Sequence, residues 1–443
     1  MSTFLVRGAR VLTMNDALHV LDGDVLVQGG VIAAVGPDLT APPGVAVIDG
    51  ADHYLMPGLI QPHIHLCQTL FRHEAEGRPL LAWLRERIWP LEGAHTPESL
   101  ARSCELGLAE LLLSGTTTLL DMGTVHHQDA VFETAAAWGV RGAFGKAMMD
   151  VGEGVPATLR ESTQRSLDES LRLGRTWHGA DNDRLRYAFA PRFVLSCSAA
   201  LQQEVGRLSA AEGYLVHTHA SEHREEVALI ERLHGMRNVH LLHSYGLCSP
   251  RSVFAHGVQL DADERRILRD TGTSICHCPS SNLKLGSGIA DVLTLLREGV
   301  NVAIGADGAP CNNGLDAFVE MRLAHLLQGP KHGAGALTPV EVLRLATRGG
   351  AKALGWEERV GSLEPGKDAD MVLLRRNDPR LGLGSDPYTE IVCAGTRDLV
   401  RRVWVRGRLL VDEGTLVQHD LDGLLHSGRR ALDETLRRAG LAA

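Results

Sequence analysis

Histidines stand at the ends of apolar segments in this 443-residue chain, and their spacing suits metal chemistry. One pair, His63 and His65, lies in LIQPHIHL, and a second pair, His217 and His219, lies in YLVHTHA. Residues i and i+2 of a β-strand point to the same side, so each pair can face one point. Borderline divalent ions such as Zn²⁺ accept imidazole nitrogens as ligands. The pairs therefore predict a metal site, provided that their strands lie close together.

Two further residues of ligand type end other apolar segments. His256 stands in SVFAHGVQL and Asp307 stands in NVAIGADG. One buried histidine alone is more often a hydrogen-bonded core residue than a ligand. Several inward polar residues at the ends of different strands do not fit that explanation, because an apolar interior does not accept them unpaired. We therefore expect a third histidine and an aspartate to complete a site for one divalent ion.

The elements that must position these residues follow from the alternation of the sequence. From about residue 58 to residue 360, strand-like apolar segments alternate with amphipathic helical runs such as PESLARSCELGLAELLL. The strand-like segments are LIQPHIHL, TTTLLDM, RGAFGKAMM, RLRYAFAP, YLVHTHA, SVFAHGVQL, SICHCP and NVAIGADG. Eight strands, each followed by a helix or a long loop, predict an α/β fold with a (β/α)8 TIM-type barrel. In such a barrel the carboxyl ends of the strands carry the site.

Short strand-like segments at both ends of the chain predict a second, smaller domain. FLVRGARVLTM, DVLVQGGVIAAVG and VAVIDG precede the barrel, and DADMVLL and LVRRVWVRGRLL follow it. Alternation with a period of two and glycines between segments are typical of strands and turns. We expect a small β-sandwich domain formed by the two termini. Its first part is residues 1–57, the barrel is 58–360, and the second part with a C-terminal helix is 361–443.

Composition excludes several classes of protein. A charged fraction of 22% and a hydrophobic fraction of 44% are ordinary globular values, which exclude a disordered or collagen-like chain. The net charge of -9 argues against nucleic acid or an anionic membrane as the main partner. No apolar run reaches the roughly 18 residues of a membrane helix, and no signal-peptide pattern opens the sequence. Eight sparse cysteines predict reduced thiols and a cytoplasmic protein.

Four motifs, in this order, make the chain resemble a known superfamily: MPGLIQPHIHL, HTHASE, FAHGVQL and GADGAPCNN. They resemble the amidohydrolase superfamily, in its cytosine-deaminase-like branch of aminohydrolases. GSLEPGKDADMVLL resembles the superfamily's return into its β domain, so the resemblance covers nearly the whole chain. It implies the metal ligands His63, His65, His219 and Asp307. It also implies that Glu222 and His256 are catalytic.

The resemblance also bears on the number of metal ions. Other amidohydrolases hold two metals bridged by a modified lysine on the fourth strand, and RLRYAFAP has no lysine. Lys146 is the one lysine between the first two motifs, and we expect it on the third strand. One divalent ion per chain is therefore expected. Zinc is the first choice, and iron accepts the same ligands.

Hydrolytic deamination explains why these residue types are needed. A divalent ion lowers the pKa of a bound water to about 7. Asp307 can bind the ion and take the proton of that water, in addition to its role as a ligand. Glu222, three residues after a ligand, is placed to protonate a ring nitrogen and later the departing ammonia. His256 can hold the attacking oxygen or the developing oxyanion. The alternative for Glu222 is a surface carboxylate.

Three residues bear on the substrate, which we expect to be a small heterocyclic molecule. Gln68 in HLCQ and Arg192 in PRFVLSCS resemble guanine deaminases, in which such residues hydrogen-bond the purine. HCPSSNLKLGSGIA and GADGAPCNNGLDAFVEMRLA resemble deaminases of adenine nucleosides, in which an acidic residue at the place of Glu92 accepts ribose hydroxyls. We expect Glu92 to close a loop segment, LLAWLRERIWPLE. A solvated amide and a salt-bridged arginine are the alternatives for Gln68 and Arg192.

The expected substrate is an aminopurine, with a slight preference for an adenine nucleoside such as 5′-deoxyadenosine or S-adenosylhomocysteine. Guanine is the alternative, and an aminotriazine or a pterin is a further one, since triazine hydrolases share the metal ligands. A non-catalytic scaffold would have lost ligands, and all are present here. The sequence leaves open whether the chain forms a homo-oligomer.

Two other motifs suggest metal chemistry and are rejected. HRE at 223–225 and PC at 310–311 lack the second cysteine of the nucleotide-deaminase zinc motif. CHC at 276–278 suggests a second metal site. Alternation along a strand places His277 opposite its two neighbours, so we expect a core residue there.

Overall fold

The structure is a computed structural model that describes residues 3–384 and 386–442. In chain order the strands are β1 (Phe4–Leu12), β2 (Val20–Gln28), β3 (Val31–Gly36), β4 (Ala46–Asp49), β5 (His53–Pro57), β6 (Leu59–His65), β7 (Thr116–Met122), β8 (Arg141–Gly145), β9 (Ala147–Met148), β10 (Leu185–Pro191), β11 (Leu215–Ala220), β12 (Ser252–His256), β13 (Ser274–His277), β14 (Val302–Ile304), β15 (Asp307–Gly308), β16 (Met371–Arg375), β17 (Val400–Val405), β18 (Arg408–Asp412) and β19 (Thr415–Leu416). They form two sheets.

The strands β6 to β15 form a closed parallel ring. Pairing runs in the order β14-β13-β12-β11-β10-β8-β7-β6-β15, and β9 pairs with β10. The eighth strand of the ring is split, because β14 pairs with β13 whereas β15 pairs with β6. The (β/α)8 barrel predicted from the sequence is confirmed, and all eight strand-like segments contribute to it.

Helices surround the ring. The longer ones are Pro97–Leu113, Gln128–Trp138, Thr163–Trp177, Ala199–Glu212, Arg224–His234, Asn238–Ser244, Ala262–Thr271, Val292–Arg297, Ala317–Leu327, Pro339–Arg344 and Leu421–Arg438. Because helices cover the outside and side chains fill the inside, barrel strands such as β7 are buried at every position. In the part of the chain that the structure describes, no helix is both long and apolar enough to cross a membrane.

Local chemistry explains where these elements begin. Thr96 caps the helix Pro97–Leu113, since its hydroxyl accepts from the Ser99 backbone N–H while the Ser99 hydroxyl accepts from the Thr96 N–H. The proline at the first position has no N–H to lose. Gly115, with a φ of +82°, then turns the chain directly into β7.

The second sheet confirms the small β domain. Its order is β19-β18-β17-β16-β5-β1-β2-β3, with β4 on β1, so strands from both termini share one continuous mixed sheet. The C-terminal helix Leu421–Arg438 packs against the barrel helix Pro97–Leu113. Its Ala431 lies in a small apolar cluster with Phe71 and Leu91 of the barrel. The exact domain boundaries at residues 57 and 360 stay a prediction.

One part of the barrel differs from expectation. The segment that ends at Glu92 is helical, with turns at Leu80–Trp83, Leu84–Ile88 and Trp89–Glu92, rather than a loop. The physical reason is that its apolar residues, among them Trp83 and Leu84, are buried. A helix satisfies its own backbone while it buries them.

A buried ion cluster joins the barrel to the small domain. Arg141 in β8 donates from Nε to Asp370 and from Nη2 to Asp368, both at 2.8 Å. Asp370 lies one residue before β16, and its other oxygen accepts from the Arg406 backbone N–H. All three charged side chains of the cluster are almost completely buried. The Arg141 guanidinium therefore compensates Asp370 and shares the compensation of Asp368 with Arg359, whose Nη2 lies 2.8 Å from Oδ2 of Asp368.

We predict that Arg141→Ala destabilises the protein by about 3–5 kcal/mol, because it leaves the buried carboxylate of Asp370 without its cation, whereas Asp368 keeps the guanidinium of Arg359 at 2.8 Å. The measurement is the free energy of unfolding in urea. Arg10→Ala is the control, since Arg10 pairs with Asp22 on the surface, and it should cost less than about 1 kcal/mol. Equal losses in the two variants would contradict a structural role for the buried cluster.

Candidate active site

Four side chains converge where β6 and β11 end and β15 begins. Nε2 of His63 and Nε2 of His65 lie 3.2 and 3.3 Å from Oδ1 of Asp307. Nε2 of His219 lies 3.2 Å from Nε2 of His65. One potential ligand atom from each of the four residues lies within 4.8 Å of the other three. The structure thus brings together the four residues that the sequence selected as a metal site.

The other ring nitrogen of each histidine fixes the direction of the ring. Nδ1 of His65 donates to the Met122 carbonyl at 2.7 Å, and Nδ1 of His219 donates to the Arg192 carbonyl at 2.7 Å. A histidine that donates from Nδ1 presents a lone pair at Nε2. The Met122 and Arg192 carbonyls therefore orient both rings with Nε2 toward the cluster.

His217 lies behind His63 and does the same for that ring. Nδ1 of His63 donates to Nε2 of His217 at 2.7 Å, and Nδ1 of His217 donates to the Val253 carbonyl at 2.8 Å. This chain of two imidazoles leaves Nε2 of His63 with its lone pair. Among the described residues, that buried atom has no hydrogen-bond partner. Sequence reasoning placed His217 inside the barrel but assigned it no role.

The cluster fits a divalent cation. Burial lowers the pKa of His63 to about 4. Burial, with His63 nearby, also holds the pKa of His219 well below its usual value. These rings are therefore neutral at physiological pH, the form that binds metals. Three imidazole nitrogens and one carboxylate oxygen are a donor set that Zn²⁺ and similar ions accept.

Glu222 and His256 lie beside the cluster. Oε2 of Glu222 is 3.5 Å from Nε2 of His256, which is 3.8 Å from Oδ2 of Asp307. Burial and the charge of Asp307 raise the pKa of Glu222 to about 8. Its carboxyl therefore holds a proton at neutral pH, as a proton donor to a substrate must.

A cavity with an apolar wall opens onto these groups. Leu80, Trp83, Leu84, Phe193 and Leu285 form the wall, and Gln68 and Arg192 line the cavity beside them. Aromatic side chains such as Trp83 and Phe193 in a cavity wall suit a flat heterocycle. Oε1 of Gln68 is buried and has no partner among the described residues, so it can accept a hydrogen bond from a ligand.

Glu92 does not line this cavity and instead holds Gln68 and Arg192. Arg192 donates to both of its carboxylate oxygens, at 2.5 and 3.1 Å, and Nε2 of Gln68 donates to it at 2.8 Å. The ion pair is almost completely buried. A contact of Glu92 with a ribose stays a prediction, and in this structure both carboxylate oxygens are already engaged.

Three polar residues near the site were not selected from the sequence. Ser281, Asn282 and Ser287 contact Asp307, His256 and Glu222 respectively. Their signal in the sequence is a run of small polar residues directly after the seventh barrel strand. Such a run is equally typical of an ordinary turn, so sequence alone could not select it.

Lys146 and His277 do not belong to the four-residue cluster. Lys146 hydrogen-bonds to Glu161, Ser166 and the Ala147 carbonyl, so the one lysine considered as a metal bridge is occupied elsewhere. Both ring nitrogens of His277 lack hydrogen-bond partners among the described residues, and burial lowers its pKa to about 3. His277 is thus buried and neutral, which agrees with the prediction of a core residue at this position.

Comparisons with known proteins agree with this geometry. The family model of the amidohydrolase family matches residues 54–410. A 5-methylthioadenosine/S-adenosylhomocysteine deaminase of Pelotomaculum thermopropionicum is 35% identical over 98% of this chain and 99% of its own length. A 5′-deoxyadenosine deaminase of Methanothermobacter thermautotrophicus is 36% identical over 94% of each chain.

Solved structures give the same result. An adenosine deaminase from Xanthomonas campestris with bound zinc superposes with a TM-score of 0.92 at 31% identity, over 98% of this chain and 99% of that one. The guanine deaminase of E. coli superposes with a TM-score of 0.83 at 30% identity, over 93% and 99%. An atrazine chlorohydrolase of Arthrobacter aurescens with zinc gives 0.91 at 28% identity, over 97% and 100%.

The chain therefore belongs to the amidohydrolase family, a family of hydrolytic enzymes. The resemblance inferred from the four sequence motifs is confirmed, and so is the expected fold class.

We predict that His219→Ala loses the bound metal ion, because the three remaining ligands leave an open and hydrated site. The measurement is metal content per chain after purification and dialysis. His234→Ala, at an exposed helix position, is the control and should keep full content. His219→Ala with full metal content and full activity would contradict the assignment of His219 as a ligand.

Proposed function

We propose that this protein is a metal-dependent hydrolytic deaminase of an aminopurine. The observation that carries the proposal is the cluster of His63, His65, His219 and Asp307, with the buried carboxyl of Glu222 beside it. The deaminase names of relatives at 35% and 36% identity support the reaction class. The proposed ligands are the four clustered residues, and the proposed catalytic residues are Glu222, His256 and Asp307.

The proposed cofactor is one divalent ion per chain, most simply zinc. Two structural relatives contain zinc, which supports that choice, and iron accepts the same donors. A cytoplasmic location is part of the proposal, because all eight cysteines are free thiols, as in a reducing compartment. A small heterocyclic substrate is the proposed partner.

The reaction replaces a ring amino group by oxygen, consumes one water and releases ammonia. A bound divalent ion supplies the nucleophile by lowering the pKa of that water. The chain's own residues then manage the protons. Glu222 gives its proton to the ring nitrogen next to the attacked carbon, and Asp307 takes up the proton of the water. When the C–N bond breaks, the proton from Asp307, relayed through Glu222, leaves with the ammonia, and the hydroxyl proton of the adduct returns to Glu222. Nε2 of His256, between these two carboxyl groups, hydrogen-bonds the incoming oxygen.

An adenine nucleoside, such as 5′-deoxyadenosine or S-adenosylhomocysteine, is the first proposed substrate. The names of the two sequence relatives favour it. A second candidate is guanine, which the pairing of Glu92 with Arg192 favours, because an engaged carboxylate is not free to accept ribose hydroxyls. An aminotriazine or a pterin is a further candidate, supported by the likeness to the atrazine chlorohydrolase.

We predict that the purified enzyme releases ammonia from an aminopurine and that Glu222→Gln lowers kcat by about 10²–10⁴-fold, the usual contribution of a general acid-base group. Metal content and melting temperature should not change, since Glu222 is not a proposed ligand. Ammonia release is measured across guanine, adenosine, 5′-deoxyadenosine, S-adenosylhomocysteine, pterins and aminotriazines. Glu225→Gln, at an exposed position three residues further on, is the matched control. Loss of the metal from Glu222→Gln would mean that Glu222 is a ligand.

A comparison of Glu92→Gln and Arg192→Ala separates the two purine hypotheses. If Glu92 reads a ribose, Glu92→Gln lowers kcat/KM for 5′-deoxyadenosine by about one to two decades, the cost of an unpaired buried group. Free adenine should then lose less. If the site reads guanine, nucleosides are poor substrates from the start and Arg192→Ala abolishes guanine turnover.

Arg265→Ala is the control for this comparison, because Arg265 pairs with Glu298 away from the cavity. Neither substrate preference should change in it. If Arg192→Ala, Gln68→Ala and Glu92→Gln all leave turnover of every aminopurine unchanged, these residues do not recognise a purine. A triazine or a pterin then becomes the better candidate.

A further inference from the structure

One short segment, residues 279–288, contacts each of the three residues proposed as catalytic. It follows β13 and contains the helical turn Pro279–Lys284. We call it the 279–288 segment. Three of its side chains, Ser281, Asn282 and Ser287, are almost completely buried. Each of these side chains turns toward a different member of the site.

Ser281 acts on Asp307. Its hydroxyl donates to Oδ2 at 2.6 Å, while the Gly308 backbone N–H donates to Oδ1 at 2.7 Å. The two bonds fix the rotation of the carboxylate. Oδ1 is the oxygen that lies within 3.3 Å of the two histidines of β6. Ser281 therefore holds the oxygen that does not face His63 and His65.

Asn282 acts on His256. Oδ1 of Asn282 lies 2.9 Å from Nδ1 of His256, so this ring nitrogen donates to the amide oxygen. The proton on Nδ1 leaves a lone pair at Nε2, the nitrogen that faces Glu222 and Asp307. Among the described residues, no other hydrogen-bond partner of the His256 ring is found. The tautomer of the ring thus depends on Asn282.

Ser287 acts on Glu222. Its hydroxyl donates to Oε1 at 3.3 Å, which leaves Oε2 as the oxygen that faces His256. The backbone of the segment links this serine to Asn282, because the Ser287 N–H donates to the Asn282 carbonyl at 2.8 Å. The two positioning contacts therefore belong to one rigid turn.

The segment is itself anchored from both sides. Glu320 accepts from the backbone N–H and the hydroxyl of Ser280, and Nε2 of Gln259 donates to the Ser287 carbonyl at 2.7 Å. Leu285, between the two anchors, forms part of the cavity wall. A substrate that packs on this wall thus touches the same turn that orients the proton-transfer residues.

The geometry points to the 279–288 segment as the positioning element of the active site, with Asn282 as the residue that sets the tautomer of His256. This inference rests on the proposed function for its catalytic consequence. Asn282 does not touch the reacting atoms, so it is a positioning residue rather than a catalytic one. Its role is to keep the lone pair of Nε2 available to accept a hydrogen bond from the attacking water.

The first test needs no substitution in the segment. The holoenzyme is labelled with ¹⁵N-histidine, and the His256 signal is assigned by its loss in His256→Gln. The expected result is a neutral ring with the proton on Nδ1. A proton on Nε2 in the wild-type holoenzyme would overturn the inference, whatever the activity of the enzyme.

The second test compares Asn282→Ala, Asn282→Asp and the control Asn301→Ala. Asn301, also an asparagine with buried contacts, bonds to Ser274 and Gly349 away from the site. We expect Asn282→Ala to lower kcat by about 10–100-fold, as for other residues that orient active-site histidines. KM and metal content should change little. Asn282→Asp keeps an acceptor oxygen and should restore much of kcat, and Asn301→Ala should match the wild type.

The third test concerns Ser281 and uses metal affinity, measured by competition with a chelator. Ser281→Ala should weaken retention of Zn²⁺ by about 10–100-fold, because only the Gly308 N–H bond then restrains the rotation of the Asp307 carboxylate.

Outcomes for the segment and for the reaction can be told apart. Wild-type kcat in Asn282→Ala, together with unchanged Zn²⁺ affinity in Ser281→Ala, would overturn the inference. If the wild-type enzyme deaminates no substrate offered, the proposed function fails, and the tautomer and the Zn²⁺ affinity still decide the role of the segment. If Asn282→Ala does not fold, the tautomer of His256 in the labelled wild-type protein still decides whether the inference holds.

Discussion

The structure depends on one constraint: a polar atom inside the barrel must find a partner, because water is excluded there. The histidines meet it with backbone carbonyls at the ends of neighbouring strands, at Met122, Arg192 and Val253. Each of those bonds uses the Nδ1 proton of its ring and leaves a lone pair at Nε2. The Nε2 atoms of His65 and His219 face the cluster, and Nε2 of His217 accepts from Nδ1 of His63, whose own Nε2 faces the cluster. The pairing of neighbouring strands therefore decides which carbonyls orient the histidines.

The same constraint shapes the substrate side of the cavity. A buried Arg192 without a carboxylate partner would strongly destabilise the fold. Glu92 neutralises it in a bidentate ion pair. Since Glu92 also binds Gln68, three side chains from separate segments are held as one unit before any ligand arrives. Recognition groups that are already ordered lose little conformational freedom on binding. The helical segment 80–92 matters to function because it carries Glu92, the carboxylate that holds Arg192 and Gln68.

Sequence reasoning could predict the barrel and the residues that cluster in it because both depend on short-range patterns. The spacing of His63 and His65 identifies one face of one strand, and the alternation of strands and helices identifies the ring. The contacts that were not predicted join residues that are distant in sequence, such as Arg192 with Glu92 or Asn282 with His256. No local sequence pattern indicates such pairs. The helical structure of the segment 80–92 was not predicted, because the apolar residues of a short run between strands show no clear helical period. Likewise, the split of the eighth strand is decided by where β15 meets β6.

That split strand has a consequence for the dynamics of the molecule. The ring closes through the contact of two residues, Asp307 and Gly308, with the end of β6, and Asp307 is also a proposed ligand. An ion held jointly by His63, His65 and Asp307 would link the first and last strands and so favour the closed ring. By mass action, such an ion stabilises only the closed state. Amide hydrogen exchange in β14 and β15 should therefore report the occupancy of the site. Exchange should be slow when the ion is bound and faster when it is absent. Closure of the barrel and assembly of the active site would then be a single cooperative event.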